Sequence, residues 1–186
     1  MLIKTHFKYS NRLYEYIKDR TNLKVNKYLL KLGHLLPDFF LPKYFFRVHN
    51  FVYYKNEIQR SLDKIKLGKN VSINLGIVLH LIQDQFSKYH NHDMYNLYNH
   101  YKYEFDYHNW FKKELGIVSC GKSETNILKL VKDLHTDYLF YTDLRCPFEL
   151  DYAYSYKACV GVINILSWGD SYENMQLFLR HTGHLR

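Results

Sequence analysis

Between Val71 and His90 the chain reads VSINLGIVLHLIQDQFSKYH, a stretch that is apolar nearly all the way round a helix. Leu75, Val78, Leu79, Ile82 and Phe86 form the main apolar arc, and Ile73, Ile77 and Leu81 lie on the other side, interleaved with His80 and Asp84. A helix with no polar face has to be covered on both sides, so this segment is expected at the centre of the molecule. His80 and Asp84 stand one turn apart and share a face. A carboxylate carried into such an interior needs a partner, because an unpaired buried charge costs several kcal/mol or more. Two solutions satisfy it: a hydrogen-bonded His80–Asp84 pair, or a metal ion.

The rest of the chain agrees with a helical interior. Glycine and proline are scarce, 8 and 3 of 186 residues, and no run alternates apolar with polar long enough to make a strand. The expected class is all-α, a compact multi-helix single domain spanning 1–186, too short for a catalytic domain plus a large second one. Helices are expected at about 10–20, 24–35, 55–67, 71–90, 94–115, 123–140 and 148–167, with a tail helix near 170–180. Pro37 and Pro42 bracket PDFFLP, so the second helix is expected to stop before them and present Asp38 from a loop. Most aromatics between Tyr95 and Phe111 are expected to be core or half-buried packing.

Bulk composition narrows the setting. Cys120, Cys146 and Cys159 show no close pairing, which suggests neither a disulfide framework nor a cysteine-ligated zinc site. The first 20 residues lack an apolar run of secretory length, and no segment approaches the roughly 20 apolar residues of a membrane span. A cytoplasmic protein without a transmembrane anchor is the expectation. The net charge of +8 favours anionic partners such as phosphoesters, nucleic acid or an acidic membrane surface, but the basic residues are dispersed and carry little weight, and no stable nucleic-acid partner is expected.

Further ionisable residues flank the central pair at metal-ligand spacings: Asp38, His49, His90, His100, Glu104 and His108. His100 and Glu104 repeat the one-turn spacing of His80 and Asp84, and Glu104 has the same spacing to His108, so spacing does not decide which histidine accompanies it. Imidazole nitrogen with carboxylate oxygen, and no cysteine, is the donor set of hydrolytic zinc sites. His34 is read as a packed or capping residue, and His135, His181 and His184 as surface residues. The His92-Asp93 doublet is shared with the HD phosphohydrolases but accounts for none of the other ligands.

In order, Gly33-x-x-x-Pro37-Asp38, His49, His80-x-x-x-Asp84-x-x-x-x-x-His90 and His100-x-x-x-Glu104 resemble the zinc-dependent phospholipase C family. The single-strand-specific zinc nucleases and 3′-nucleotidases share that family's trinuclear scaffold. The resemblance covers roughly residues 1–115. It implies two or three Zn2+ ions: one held by Asp38, His49, His80 and Asp84, and one by His90, His100 and Glu104. A third would use bridging Asp84, His6, and the amine and carbonyl of Met1. It further implies a phosphodiester hydrolase in which a metal-bound hydroxide attacks the phosphoester, with Asp38 as ligand and general base and Asp84 as the bridge. The phosphoester substrate would be a phospholipid headgroup or a nucleotide. The alternatives are a nuclease or 3′-nucleotidase on the same scaffold, and a non-enzymatic zinc-stabilised helical protein.

Overall fold

The computed structural model describes residues 3–40, 51–87, 97–111, 125–141 and 147–182. Among them are seven helices and no strand: α1 (Ile3–Arg20), α2 (Lys27–Phe40), α3 (Phe51–Lys66), α4 (Val71–Gln85), α5 (Leu97–Trp110), α6 (Ile127–Tyr141) and α7 (Pro147–Thr182). The fold is all-α.

Helix α4 occupies the centre that its sequence demands. Twelve of its 15 residues are buried, His80, Gln83 and Asp84 among them. It packs most extensively on α2, then on α3, and on α7 from a further side. Leu75, Val78, Leu79, Leu81 and Ile82 are each at most 1% exposed. At about 1.5–3 kcal/mol for each aliphatic side chain removed from water, this helix anchors the fold.

The neighbouring helices are amphipathic. α1 buries Thr5, His6, Tyr9, Ser10, Leu13 and Ile17, a stripe at three- and four-residue spacing. It begins at Ile3 and not near residue 10, because the buried face continues through Tyr9, His6 and Thr5. Lys18 and Arg20 lie in its last turn, where the helix dipole favours cations. α2 opens at Asn26, whose side-chain oxygen accepts from the backbone N–H groups of Tyr28 (3.0 Å) and Leu29 (3.1 Å). The N–H of Asn26 donates to Ser72 Oγ (2.9 Å), tying the start of α2 to the start of α4.

Two glycines set how closely α2 and α4 approach. A methyl group at Gly33 would fall on the backbone carbonyl of Ile73, and one at Gly76 on the backbone carbonyl of Leu30 and the N–H of His34. Both obstacles are backbone, so the crossing tolerates no side chain at either position. Asp38 follows Gly33 by five residues, and His80 follows Gly76 by four. The crossing therefore brings those two side chains together.

Several expectations about the elements need correction. α2 runs through Pro37 to Phe40, so Asp38 is helical and not on a loop. Pro37 is buried in the last turn, where its missing N–H removes one bond, to the Gly33 carbonyl. α4 stops at Gln85 instead of reaching 90, and α7 is one helix of 36 residues where two were expected. Gly169 inside α7 costs about 1 kcal/mol relative to alanine but does not end a helix. Of the aromatics from Tyr98 to Phe111, Tyr103, Tyr107 and Phe111 are buried and Trp110 is half-buried, in line with expectation, while Tyr98, Tyr101 and Phe105 are exposed.

The other end of the core is aromatic. Tyr103 (2.5 Å) and Tyr138 (2.7 Å) both donate to the buried carboxylate of Asp151, joining α5 and α6 to α7. Arg12 lies over the ring of Phe111 (4.6 Å) and donates to Tyr152 (3.1 Å), which turns a basic residue of α1 into a core contact. His135, expected at the surface, is half-buried with its ring against Phe86 and Tyr138. Among the described residues no helix is long and apolar enough to cross a membrane.

Candidate metal centre

Three helices converge at one buried point. His6 comes from α1, His34 and Asp38 from α2, and His80, Gln83 and Asp84 from α4. The rings of His6 and His80 are stacked at 4.2 Å with an interplanar angle of 26°, so both imidazoles face the same way. His80 Nε2 stands 3.1 Å from Asp84 Oδ2 and 3.5 Å from Asp38 Oδ1. His6 Nε2 stands 3.8 Å from Asp38 Oδ2 and 3.9 Å from Asp84 Oδ1. His6, His80 and Asp84 are sealed from solvent, whereas the Asp38 side chain is 25% exposed. The cluster opens to water at Asp38.

Hydrogen bonds on the far sides of the rings decide what the near sides offer. His80 Nδ1–H donates to the backbone carbonyl of His34 (2.7 Å), which leaves Nε2 as a lone pair in the neutral ring. His6 Nδ1–H donates to Gln83 Oε1 (3.0 Å), with the same consequence. Burial, with His80 beside it, holds His6 well below its usual pKa and keeps it neutral. Its Nε2 lone pair thus faces carboxylate oxygens, acceptor against acceptor. Neither His6 Nε2 nor Asp38 Oδ2 has a hydrogen-bond partner among the described residues.

A cation resolves this arrangement. Donor atoms about 2.0–2.2 Å from a zinc ion at tetrahedral corners stand roughly 3.4 Å apart, and His80 Nε2 stands 3.1 Å from Asp84 Oδ2 and 3.5 Å from Asp38 Oδ1. The residues fit the group. Asp38, His80 and Asp84 form one set able to hold a metal ion, and His6, His34 and His80 form another. In the second set His34 donates Nε2–H to Gln83 Oε1 (2.9 Å), which leaves Nδ1 as its donor atom, whereas the first set adds two carboxylates.

The electrostatics follow from the same geometry. Burial alone would lower His80, but Asp84 and Asp38 outweigh it and raise its pKa. Burial pushes Asp38 up; His80 opposes this, and Asp84 and then Glu104 add to it. Glu104 is buried on α5 and close enough for its charge to act on Asp38. His108 is also buried, its Nδ1 2.8 Å from Thr5 Oγ1, next in sequence to His6. Of the other expected ligands, Met1, His49 and His90 lie outside the described residues, as does the side chain of His100.

His34 and Gln83 were not singled out as site residues. His34 is packed, as expected, but against His6 and His80 and not as a helix cap. Its one-turn spacing from Asp38 was a usable signal once Pro37 is known not to end the helix. Burial drives its pKa down to about 3. The folded value lies below the unfolded one near 6.5, so the unfolded chain binds the extra proton. Stability contributed by neutral His34 is therefore fully present above about pH 6.5 and lost progressively as pH falls toward 3. For the metal-free protein, His34 alone should remove roughly 2 kcal/mol between pH 6 and pH 4.5. Urea titrations at both pH values should show a shallower dependence in His34→Asn; equal slopes would refute the assignment.

These features define a class: an all-α protein with a buried histidine–carboxylate site able to hold a metal ion. The sequence model of the family described as zinc dependent phospholipase C matches residues 5–144, and the chain belongs to that family. No curated protein and no solved structure matches the chain. Membership supports zinc as the metal and a phosphoester as the substrate class.

Proposed function

We propose that the chain, as one helical domain, is a zinc-dependent phosphodiester hydrolase whose centre lies between α1, α2 and α4. The observation that carries the reading is the His6 Nε2 lone pair, buried against the carboxylates of Asp38 and Asp84 at 3.8 and 3.9 Å. In this reading Asp38, His49, His80 and Asp84 hold one ion, and His90, His100 and Glu104 a second. His6 and Asp84, with the Met1 amine and carbonyl, complete a third.

Zinc bound here would lower the pKa of a coordinated water and polarise the phosphoryl oxygens. The protein's own contribution is division of labour between two carboxylates. Asp84 is sealed and held in place by His80 Nε2 at 3.1 Å. Asp38, partly open to solvent and with a raised pKa, binds and accepts the proton of the attacking water at one carboxylate oxygen. The stacked rings of His6 and His80 exclude water behind both groups.

Phe39, next in sequence to Asp38, offers an aromatic face that is 61% exposed. Such a face suits an apolar headgroup or a nucleobase, which keeps the nuclease or 3′-nucleotidase reading alongside the phospholipase one. The deciding experiment is an elemental count of bound zinc together with turnover on phosphatidylcholine, 3′-nucleotides and single-stranded DNA. Two or three zinc ions with hydrolysis of one substrate class is the expected result. Zinc without turnover on any of them would favour the non-enzymatic reading, and no zinc uptake would end the proposal.

Metal removal has a thermodynamic signature. A ligand that binds only the folded state stabilises it by RT ln(1 + [L]/Kd), about 4 kcal/mol at a thousandfold excess over Kd. Chelation should therefore lower the thermal midpoint by roughly 10 °C for a domain of this size. Scanning calorimetry with and without chelator measures it, and an unchanged midpoint would contradict a metal at this site.

A further inference from the structure

Gln83 is fully buried on α4, one residue before Asp84. A buried amide costs free energy unless it is hydrogen-bonded, and leucine would fill similar space without that cost. Its side-chain carbonyl oxygen has two lone pairs, and two imidazoles meet them: His6 Nδ1–H from α1 at 3.0 Å and His34 Nε2–H from α2 at 2.9 Å. One oxygen atom thus joins three helices. A carbonyl oxygen can only accept, so the ring atom facing it must carry the proton.

We infer that Gln83 is a positioning residue: by accepting from His6 and His34 at once, it holds His6 in the tautomer whose Nε2 lone pair faces Asp38 and Asp84. The inference rests on the reading of His6 as a metal ligand, because only the Nδ1–H tautomer leaves Nε2 free to bind an ion. Without the acceptor, the buried His6 ring has reason to place its proton on Nε2, where two carboxylates lie within 4 Å. That proton would have to leave before a metal could bind. His80 has an independent lock, the backbone carbonyl of His34 at 2.7 Å, and so acts as an internal reference. Gln83 does not titrate, so its hold persists across the pH range in which a carboxylate in its place would protonate.

The test starts on the metal-free wild-type protein labelled with 15N-histidine. Long-range proton–nitrogen correlation at neutral pH is expected to show His6 protonated at Nδ1 and bare at Nε2; the Nε2–H tautomer would overturn the inference. Gln83→Leu should mix the His6 tautomers, leave His80 as Nδ1–H, and weaken one zinc roughly 10- to 100-fold in a chelator competition, the range typical of lost outer hydrogen bonds. Gln83→Glu, which keeps an acceptor, should restore the Nδ1–H tautomer. An unchanged His6 spectrum in Gln83→Leu would count against the lock, and the wild-type spectrum decides the matter if that variant does not fold. Zinc bound with His6 in the Nε2–H form sinks the inference and spares the metal reading. No zinc with His6 in the Nδ1–H form does the reverse.

Discussion

Replacing Asp84 by Asn should abolish phosphoester hydrolysis, lowering kcat by roughly a thousandfold or more, which corresponds to about 4 kcal/mol of barrier. Asparagine keeps the shape of the side chain and removes its charge. In the proposed centre that charge serves two ions, so the variant should also bind at least one zinc fewer. The structure supplies a contrast that separates this from simple unfolding. His80 Nε2 lies 3.1 Å from Asp84, and the raised His80 pKa depends on Asp84 and Asp38. With the Asp84 charge gone, burial favours neutral His80, and the repulsion between Asp84 and Asp38 is relieved. The metal-free variant should accordingly stay within about 1 kcal/mol of the metal-free wild type at pH 7. Added zinc should raise the wild-type midpoint and raise that of the variant much less. Near wild-type turnover in Asp84→Asn would refute the bridging role. A metal-free variant that does not fold would instead mark Asp84 as a structural ion pair.

Gly76→Ala is expected to destabilise the protein strongly, although it adds only one methyl group. The new carbon would meet the backbone of Leu30 and His34, which cannot yield without separating α2 from α4. Overpacking of this kind costs about 1–3 kcal/mol, and a backbone-to-backbone clash belongs at or above the upper end. Alanine's better helix propensity returns at most about 1 kcal/mol. A fall in midpoint of roughly 6–10 °C should follow, and Gly33→Ala, clashing with Ile73 from the opposite helix, should match it. Because the same crossing sets the spacing of Asp38 and His80, either variant should also bind zinc more weakly at temperatures where it remains folded. Gly68→Ala is the control: nothing lies within 4 Å, and its φ of +67° makes the cost backbone strain of about 1 kcal/mol. Midpoints for Gly76→Ala and Gly68→Ala that coincide would remove the crossing from the account of the site.

The central helix shows why some of this was legible in the chain and some was not. Apolar residues all round Val71–Gln85 require cover on every side, and α2, α3 and α7 provide it. The adjacency of His80 and Asp84 is a matter of helical pitch alone, and their 3.1 Å contact follows directly. The local preference of proline puts Asp38 on a loop, while the buried turn around Pro37 is helical in the folded chain. The apolar pattern starts α1 too late for a related reason: His6 and Thr5 are polar and weaken it, yet both are fully buried. His135 was assigned to solvent on residue type and instead packs on Phe86 and Tyr138.

The sequence by itself determined the all-α class, the buried position of the central helix, and a histidine–carboxylate pair on it with the donor chemistry of a zinc site. Those properties depend on composition and on a period of 3.6 residues, both of which are local. Only the tertiary structure decided that His6, 74 positions before His80, stacks on its ring, that two glycines let Asp38 reach the pair, and that Gln83 and the His34 carbonyl fix which nitrogen of each imidazole points inward. A lone pair gains its direction from the group bonded on the far side of the ring, and that group comes from another helix.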